Sequence, residues 1–252
     1  MSELLDWTII GPAFAAGLIV LSTHVPLGQE VLRRGIIFID LAIAQVAGLG
    51  VIAAHGMEWD PDGLEVQLVA VGAALVAALG LSWTERRWPQ IQEPLIGVLF
   101  ILAATGGIML LSGNPHGSEH LRELLVGQIL WSTWDSLAPI ALLYAAVLAL
   151  WALLRGRLAG PGFYLGFAVV ITASVQVVGI YLVFASLIIP ALATRRFGGV
   201  RRLAAGYLIG ALSYLAGIVL SSVLDLPTGA VIVWSMAAIA LVAGFAPGGR
   251  RR

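Results

Sequence analysis

Long apolar stretches separated by short charged loops run the length of the chain. They fall at roughly 8–26, 35–55, 66–83, 94–112, 137–154, 203–222 and 229–246. Each suits a helix that crosses a hydrocarbon layer about 30 Å thick. One further run, 163–194, carries no charge at all. As one straight helix it would reach about 48 Å, too long for an upright span. Gly179 and Pro190 offer breaks, so the run is expected to divide near Gly179 into a full span and a shorter, broken one. The pattern predicts an all-α polytopic transmembrane helix bundle of about eight or nine spans, with residues 1–252 forming a single transmembrane domain.

Composition agrees. The 252 residues are 60% hydrophobic and 11% charged, too little polar surface for a soluble domain of this length. The first apolar run, from about Thr8, lacks a basic flank and a small-residue cleavage site, so it is expected to be a retained span rather than a signal peptide. With no cysteine, disulfides and thiolate metal sites are excluded. Charge then orients the spans. With nine crossings and the N-terminus outside, all of the 14 basic residues except Arg122 fall in inner loops; reading 163–194 as one crossing would invert the last two spans. The positive-inside rule therefore favours two crossings there. Every tryptophan except Trp234 lies near an expected span end, as interfacial anchors do. The pairs Gly162/Gly166 and Gly206/Gly210 have spacing suited to close helix packing.

Inside the expected membrane region, Asp40 in "FIDLAIAQVAG" stands about five residues into the second span. A carboxylate there is costly unless it faces a cavity, a partner or an ion. His24 in "LSTHVPLG" lies at a comparable depth on the first span, and the short connection between the two spans could bring them together. Gln45 shares the span of Asp40 but lies about 140° round the helix. The functional reading is a polar metal path lined by His24, Asp40 and Gln45; the plainer one is a hydrogen-bonded pair holding two helices together.

The outer loop reads "GNPHGSEHLREL". His116 and His120 stand one helical turn apart, and Glu119 and Glu123 repeat that spacing. Imidazole and carboxylate suit Zn²⁺, and Mn²⁺ or Fe²⁺ when oxygen ligands dominate; an amphipathic helix with a solvated polar face would look the same. "HGSEH" also fits the inverted zinc-peptidase pattern H-x-x-E-H. A peptidase needs a third ligand on a rigid scaffold, and no soluble domain surrounds this loop.

All 14 basic residues are arginines, so there is no lysine for a Walker A phosphate loop. Any ATP hydrolysis must come from a separate chain docking on an inner loop. "PALATRRFGGVRRL", with Arg195, Arg196, Arg201 and Arg202, is the best candidate for that contact, although plain positive-inside anchoring would also explain its arginines.

The stretch "VGIYLVFASLIIPALATRRF" resembles the membrane permease subunit of the zinc/manganese-type metal-ion ABC importer family, through Gly179, Leu182, Ala185, Leu187, Ile188, Ile189, Pro190, Ala191 and Ala193. "PLGQEVLRRGIIFIDLAIAQVAGLG", "EPLIGVLFILAATGGIML" and "LLVGQIL" are similar to further parts of that family, so the resemblance covers most of the chain. It implies a homodimeric permease that moves a divalent cation inward by alternating access, with a cytoplasmic ABC ATPase and an extracytoplasmic metal-binding protein as partners. No permanent cofactor is expected, only the transported ion, zinc first and manganese or iron after it. The resemblance also places a Gly-Asp-x-x-x-His motif on the second span. Asp40 matches its Asp, while Ile39 replaces the Gly and Ala44 stands where the His would be. Gln45 or His24 would have to fill that position, or the HGSEH loop would take over capture at the outer mouth. The chain is thus expected to be a transport subunit and not an enzyme, in a cell membrane (the inner one in a Gram-negative cell). An ATPase-independent secondary carrier or channel for a cation or small solute is the alternative.

Overall fold

The structure is a computed structural model that describes residues 7–55, 63–112, 114, 117–154 and 160–245. Among them the chain forms ten α-helices, two single 3₁₀ turns and no strand. The helices are α1 (Trp7–Arg34), α2 (Ile39–His55), α3 (Leu64–Arg87), α4 (Gln92–Leu111), α5 (Gly117–Val126), α6 (Trp134–Leu153), α7 (Pro161–Val178), α8 (Ile180–Ala193), α9 (Gly199–Leu224) and α10 (Thr228–Phe245). The all-helical expectation holds. The span count differs: 6 helices among the described residues are long and apolar enough to cross a membrane, rather than eight or nine. The physical reason is length. The apolar helices Ile39–Ala54, Ile180–Ala193 and Thr228–Gly244 fall short of a full crossing by that measure, because a residue adds only about 1.5 Å of rise.

The long uncharged run divides at Gly179 as its length demanded. Gly179 has φ +77°, and the facing Gly127, between α5 and α6, has φ +72°. The two backbones meet so closely that a Cβ on either would enter the other's main chain. Only glycine combines a positive φ with that approach. Pro190, by contrast, makes no break and lies inside α8.

The helices pack as two groups. α1, α8, α9 and α10 form one, and α2, α3, α4 and α7 the other, with α7 and α8 each touching both α1 and α2. Small residues set the closest approaches. Gly28 of α1 lies against the backbone of Leu187 on α8, and Gly206 and Gly210 of α9 lie against Val25 and Leu21 of α1. In lipid, where helices gain little from burying apolar surface against each other, such contacts supply the packing. Gly166 has open space where a Cβ would stand, so that half of the other glycine pair makes no close packing contact.

Several polar groups pair across helices. Pro26 cannot donate a backbone hydrogen bond to Ser22 O, and the Tyr207 hydroxyl of α9 donates to that carbonyl instead at 3.0 Å. The buried Tyr214 hydroxyl pairs with Ser186 Oγ on α8 at 2.9 Å. At the arginine-rich end, Arg34 of α1 binds Glu30 at 2.7 Å, reaches Glu85 of α3 at 3.7 Å and stacks over the Phe163 ring of α7 at 4.1 Å. The C-terminal ends of α1 and α3 and the N-terminal end of α7 therefore share one side of the bundle, as the distribution of charge requires.

Candidate metal path and outer mouth

Asp40 sits in the first turn of α2 and is fully buried. Neither of its carboxylate oxygens has a hydrogen-bond partner of normal geometry, the nearest donors being the backbone N–H groups of Asp40 and Leu41 in the same turn. Burying a carboxylate in this way is expensive, so the position calls for a compensating group or a passing cation. Ala44, one turn on, is also buried, and places a methyl group where the family motif has an imidazole. Gln45 is half-buried, on a different face from Asp40.

His24 is fully buried on α1. Its Nδ1 lies 2.9 Å from Val20 O. A carbonyl can only accept, so Nδ1 carries the proton and Nε2 presents a lone pair. That Nε2 is buried without a partner, and anchoring of the other ring nitrogen by a backbone carbonyl is the usual arrangement of a ligating imidazole. The short connection does not, however, pack α1 on α2: the two helices belong to different groups, with α8 in contact with both. Among the described residues no set of three or more His, Asp or Glu stands within reach of one metal ion.

Two features of this region were not picked out from the sequence. Glu93, in the first turn of α4, accepts the backbone N–H of Phe38 on Oε1 at 3.2 Å, while its Oε2 is buried without a partner. Phe38 also stacks on Phe184 of α8, with ring centroids 6.3 Å apart and planes 9° from parallel. The N-terminus of α2, and Asp40 with it, is thus held from α4 and α8 together. The signal for Glu93 was an acidic residue opening an apolar span, overlooked because that pattern also fits an ordinary first-turn charge.

At the opposite end, α5 carries Glu119, Arg122 and Glu123, all exposed. They line an open cleft of about 570 Å³, completed by Gln128, Asp225 and Thr228. Gln128 Nε2 donates to Glu123 Oε1 at 2.8 Å. Three carboxylates against one guanidinium bias the cleft toward cations. His116 lies outside the described residues; His120 stands on α5, with its side chain outside the described part.

The arginines after α8 occupy an exposed turn. Thr194 Oγ1 donates to Pro190 O at 2.7 Å and closes α8, and Phe197 N donates to Thr194 O at 2.9 Å. Arg195, Arg196 and Arg201 are exposed, while Arg202 is half-buried with an unpartnered Nε. Arg196 reaches Gly244 O of α10 at 3.4 Å.

The sequence pattern of the ABC 3 transport family matches residues 6–163 and 159–246. The chain belongs to this family. It is accordingly a multi-pass membrane protein and a transport subunit rather than an enzyme, ATP hydrolysis residing in a separate component. The chain is 28% identical to the manganese transport system membrane protein MntC of Halalkalibacterium halodurans, over 92% of this chain and 85% of the relative. It is also 28% identical to the uncharacterized membrane protein slr2045 of Synechocystis, over 52% of this chain and 44% of that one. In fold it is similar to PsaBC from Streptococcus pneumoniae, solved in complex with Fab, with a TM-score of 0.75, 19% identity and coverage of 97% of this chain and 95% of that one. A metal-chelate type ABC transporter in an inward-facing conformation gives a TM-score of 0.69, 17% identity and coverage of 92% and 84%.

Proposed function

We propose that this chain is the permease of an ABC importer for a divalent metal ion, working as a homodimer by alternating access. The observation that carries the reading is Asp40, a fully buried carboxylate with both oxygens unpartnered at the motif position of the family's second span. A structural role for Asp40 would leave its oxygens satisfied by neighbours; a place on an ion path accounts for their being free.

In this reading the metal arrives from an extracytoplasmic binding protein at the acidic cleft beside α5, lined by Glu119, and His116 and His120 of the same stretch of sequence act with Glu119 in capture. It then passes the level of His24, Asp40 and Gln45 and leaves at the arginine-rich end. A cytoplasmic ATPase engages the turn bearing Arg195, Arg196, Arg201 and Arg202. Its closure reaches Asp40 through α8, whose Phe184 presses on Phe38. Zn²⁺ is the cargo placed first, on the free Nε2 of His24 and the two outer histidines. Mn²⁺ is the second reading, favoured by the oxygen donors of Asp40 and by the manganese-transport relative.

The test is metal accumulation in vesicles holding the chain with its ATPase, offered Zn²⁺, Mn²⁺ and Fe²⁺. ATP-dependent uptake of Zn²⁺ is expected, and replacing His116 and His120 by Ala removes only uptake at low metal concentration. Uptake that proceeds without the ATPase would make the chain a secondary carrier. No uptake of any of the three metals would overturn the assignment of cargo.

A further inference from the structure

Asp40 is not the sole uncompensated carboxylate at its end of α2. Glu93 Oε1 is fixed by the Phe38 N–H at 3.2 Å, two residues before Asp40. Its Oε2 and both oxygens of Asp40 are buried and unpartnered, and the bond to Phe38 brings the Glu93 carboxylate to the turn that opens α2, where Asp40 stands. The guanidinium groups closest along the chain are engaged elsewhere: Arg33 with Glu30, and Arg34 with Glu30 and Glu85. Two carboxylates, one fully and one partly buried, thus stand at the start of α2 with no ion pair to an arginine among the described residues, and ionising both there is unfavourable.

We propose that Asp40 and Glu93 together form a two-carboxylate cation site at the arginine-rich end of the path, a last station where oxygen donors hold the ion before release. This deepens the metal-permease reading and rests on it. A divalent ion between the carboxylates turns their repulsion into ligation, and water or backbone oxygen completes the shell, as hard cations accept. The site contains no imidazole, which fits the methyl group of Ala44 in place of the family's histidine. It also suits an exit step, since a transport site must bind weakly enough to let go.

Glu93 has a plainer role as well, because its Oε1 satisfies an N–H that begins α2 and would otherwise be an orphan. Glu93→Gln separates the two roles: the amide oxygen still accepts from Phe38, but the charge and one oxygen donor are lost. The experiment titrates purified full-length permease with Mn²⁺ and reads the loss of the free-ion electron paramagnetic resonance signal. Wild type, Glu93→Gln, Asp40→Asn, the double variant and Glu93→Asp are compared, with a thermal melt confirming that each is folded.

One ion bound per wild-type chain is expected, weakened at least about tenfold in Glu93→Gln and in Asp40→Asn. The double variant should be little worse than either single one, because the two groups share one ion. Glu93→Asp, which keeps the charge, should retain more binding than Glu93→Gln and covers the case in which Glu93→Gln misfolds. Unchanged Mn²⁺ affinity in Glu93→Gln would overturn the proposal and leave Glu93 as a helix cap. Fully additive losses would overturn it too, since the carboxylates would then bind separate ions. Absence of Mn²⁺ binding in the wild type, with ATP-driven metal uptake intact, would sink this site while sparing the permease reading; absence of all uptake would remove that reading itself.

Discussion

Helices α6 and α8 look alike in sequence. Both are apolar, both contain a proline (Pro139 and Pro190), and neither has a charge beyond its first turn. Their surroundings are opposite. In α6 only Leu137 and Tyr144 are buried, and most of its surface faces outward. In α8 nine side chains are buried, from Ile180 to Ala191, between α1, α9 and α10. Hydropathy reports that a helix belongs in a membrane; it does not report whether the helix meets lipid or protein. That information sits on the partners, in Gly28 of α1, which admits the α8 backbone, and in Tyr214 of α9, whose hydroxyl meets Ser186. The shorter helix is therefore the one enclosed by protein. It runs from the Gly179 break to the arginine turn and touches the start of α2 through Phe184.

The contrast can be broken by substitution. Gly28→Val should have the largest effect, because its side chain would be driven into the Leu187 carbonyl, which cannot retreat within a packed helix pair. A loss of at least ~3 kcal/mol is expected, seen as failed assembly or a collapsed melting transition in detergent. Tyr207→Phe should come next. It leaves Ser22 O, already deprived of a donor by Pro26, without its partner, at a cost of about 1 kcal/mol in equilibrium unfolding. Leu142→Ala on α6 should be smallest. Leu142 is 73% exposed, so the change should stay within about 0.5 kcal/mol. If it were as damaging as Gly28→Val, α6 would have a protein neighbour on that face and the contrast would fail.

Much of this architecture was legible in the order of residues. The 32 uncharged positions at 163–194 (194 − 163 + 1) were too many for one span, and the division at Gly179 followed from that length together with the break a glycine offers. The sidedness of α1, α3 and α7 followed from the arginines. Pro190 misled, because a proline's ring disturbs a helix only as far as its neighbours allow, and α8 continues through it with Thr194 closing the turn. Asp40 stood out because carboxylates are rare at that depth. Its surroundings could not be read in advance, since α2 leaves α1 and packs against α3 and α4, with α7 and α8 also in contact. Glu93 is 53 residues from Asp40 in sequence (93 − 40), and Phe184 is further still; no local pattern brings them to one place.

The most direct test of the central claim is ATP-driven metal uptake by the reconstituted permease and its ATPase, comparing wild type with Asp40→Asn while ATP hydrolysis is followed in the same vesicles. The account predicts that uptake falls at least about tenfold while the complex still assembles and hydrolyses ATP, because the ion loses its ligand and not its motor. Full uptake by Asp40→Asn would show that the buried carboxylate is a structural group off the path, and would contradict the account.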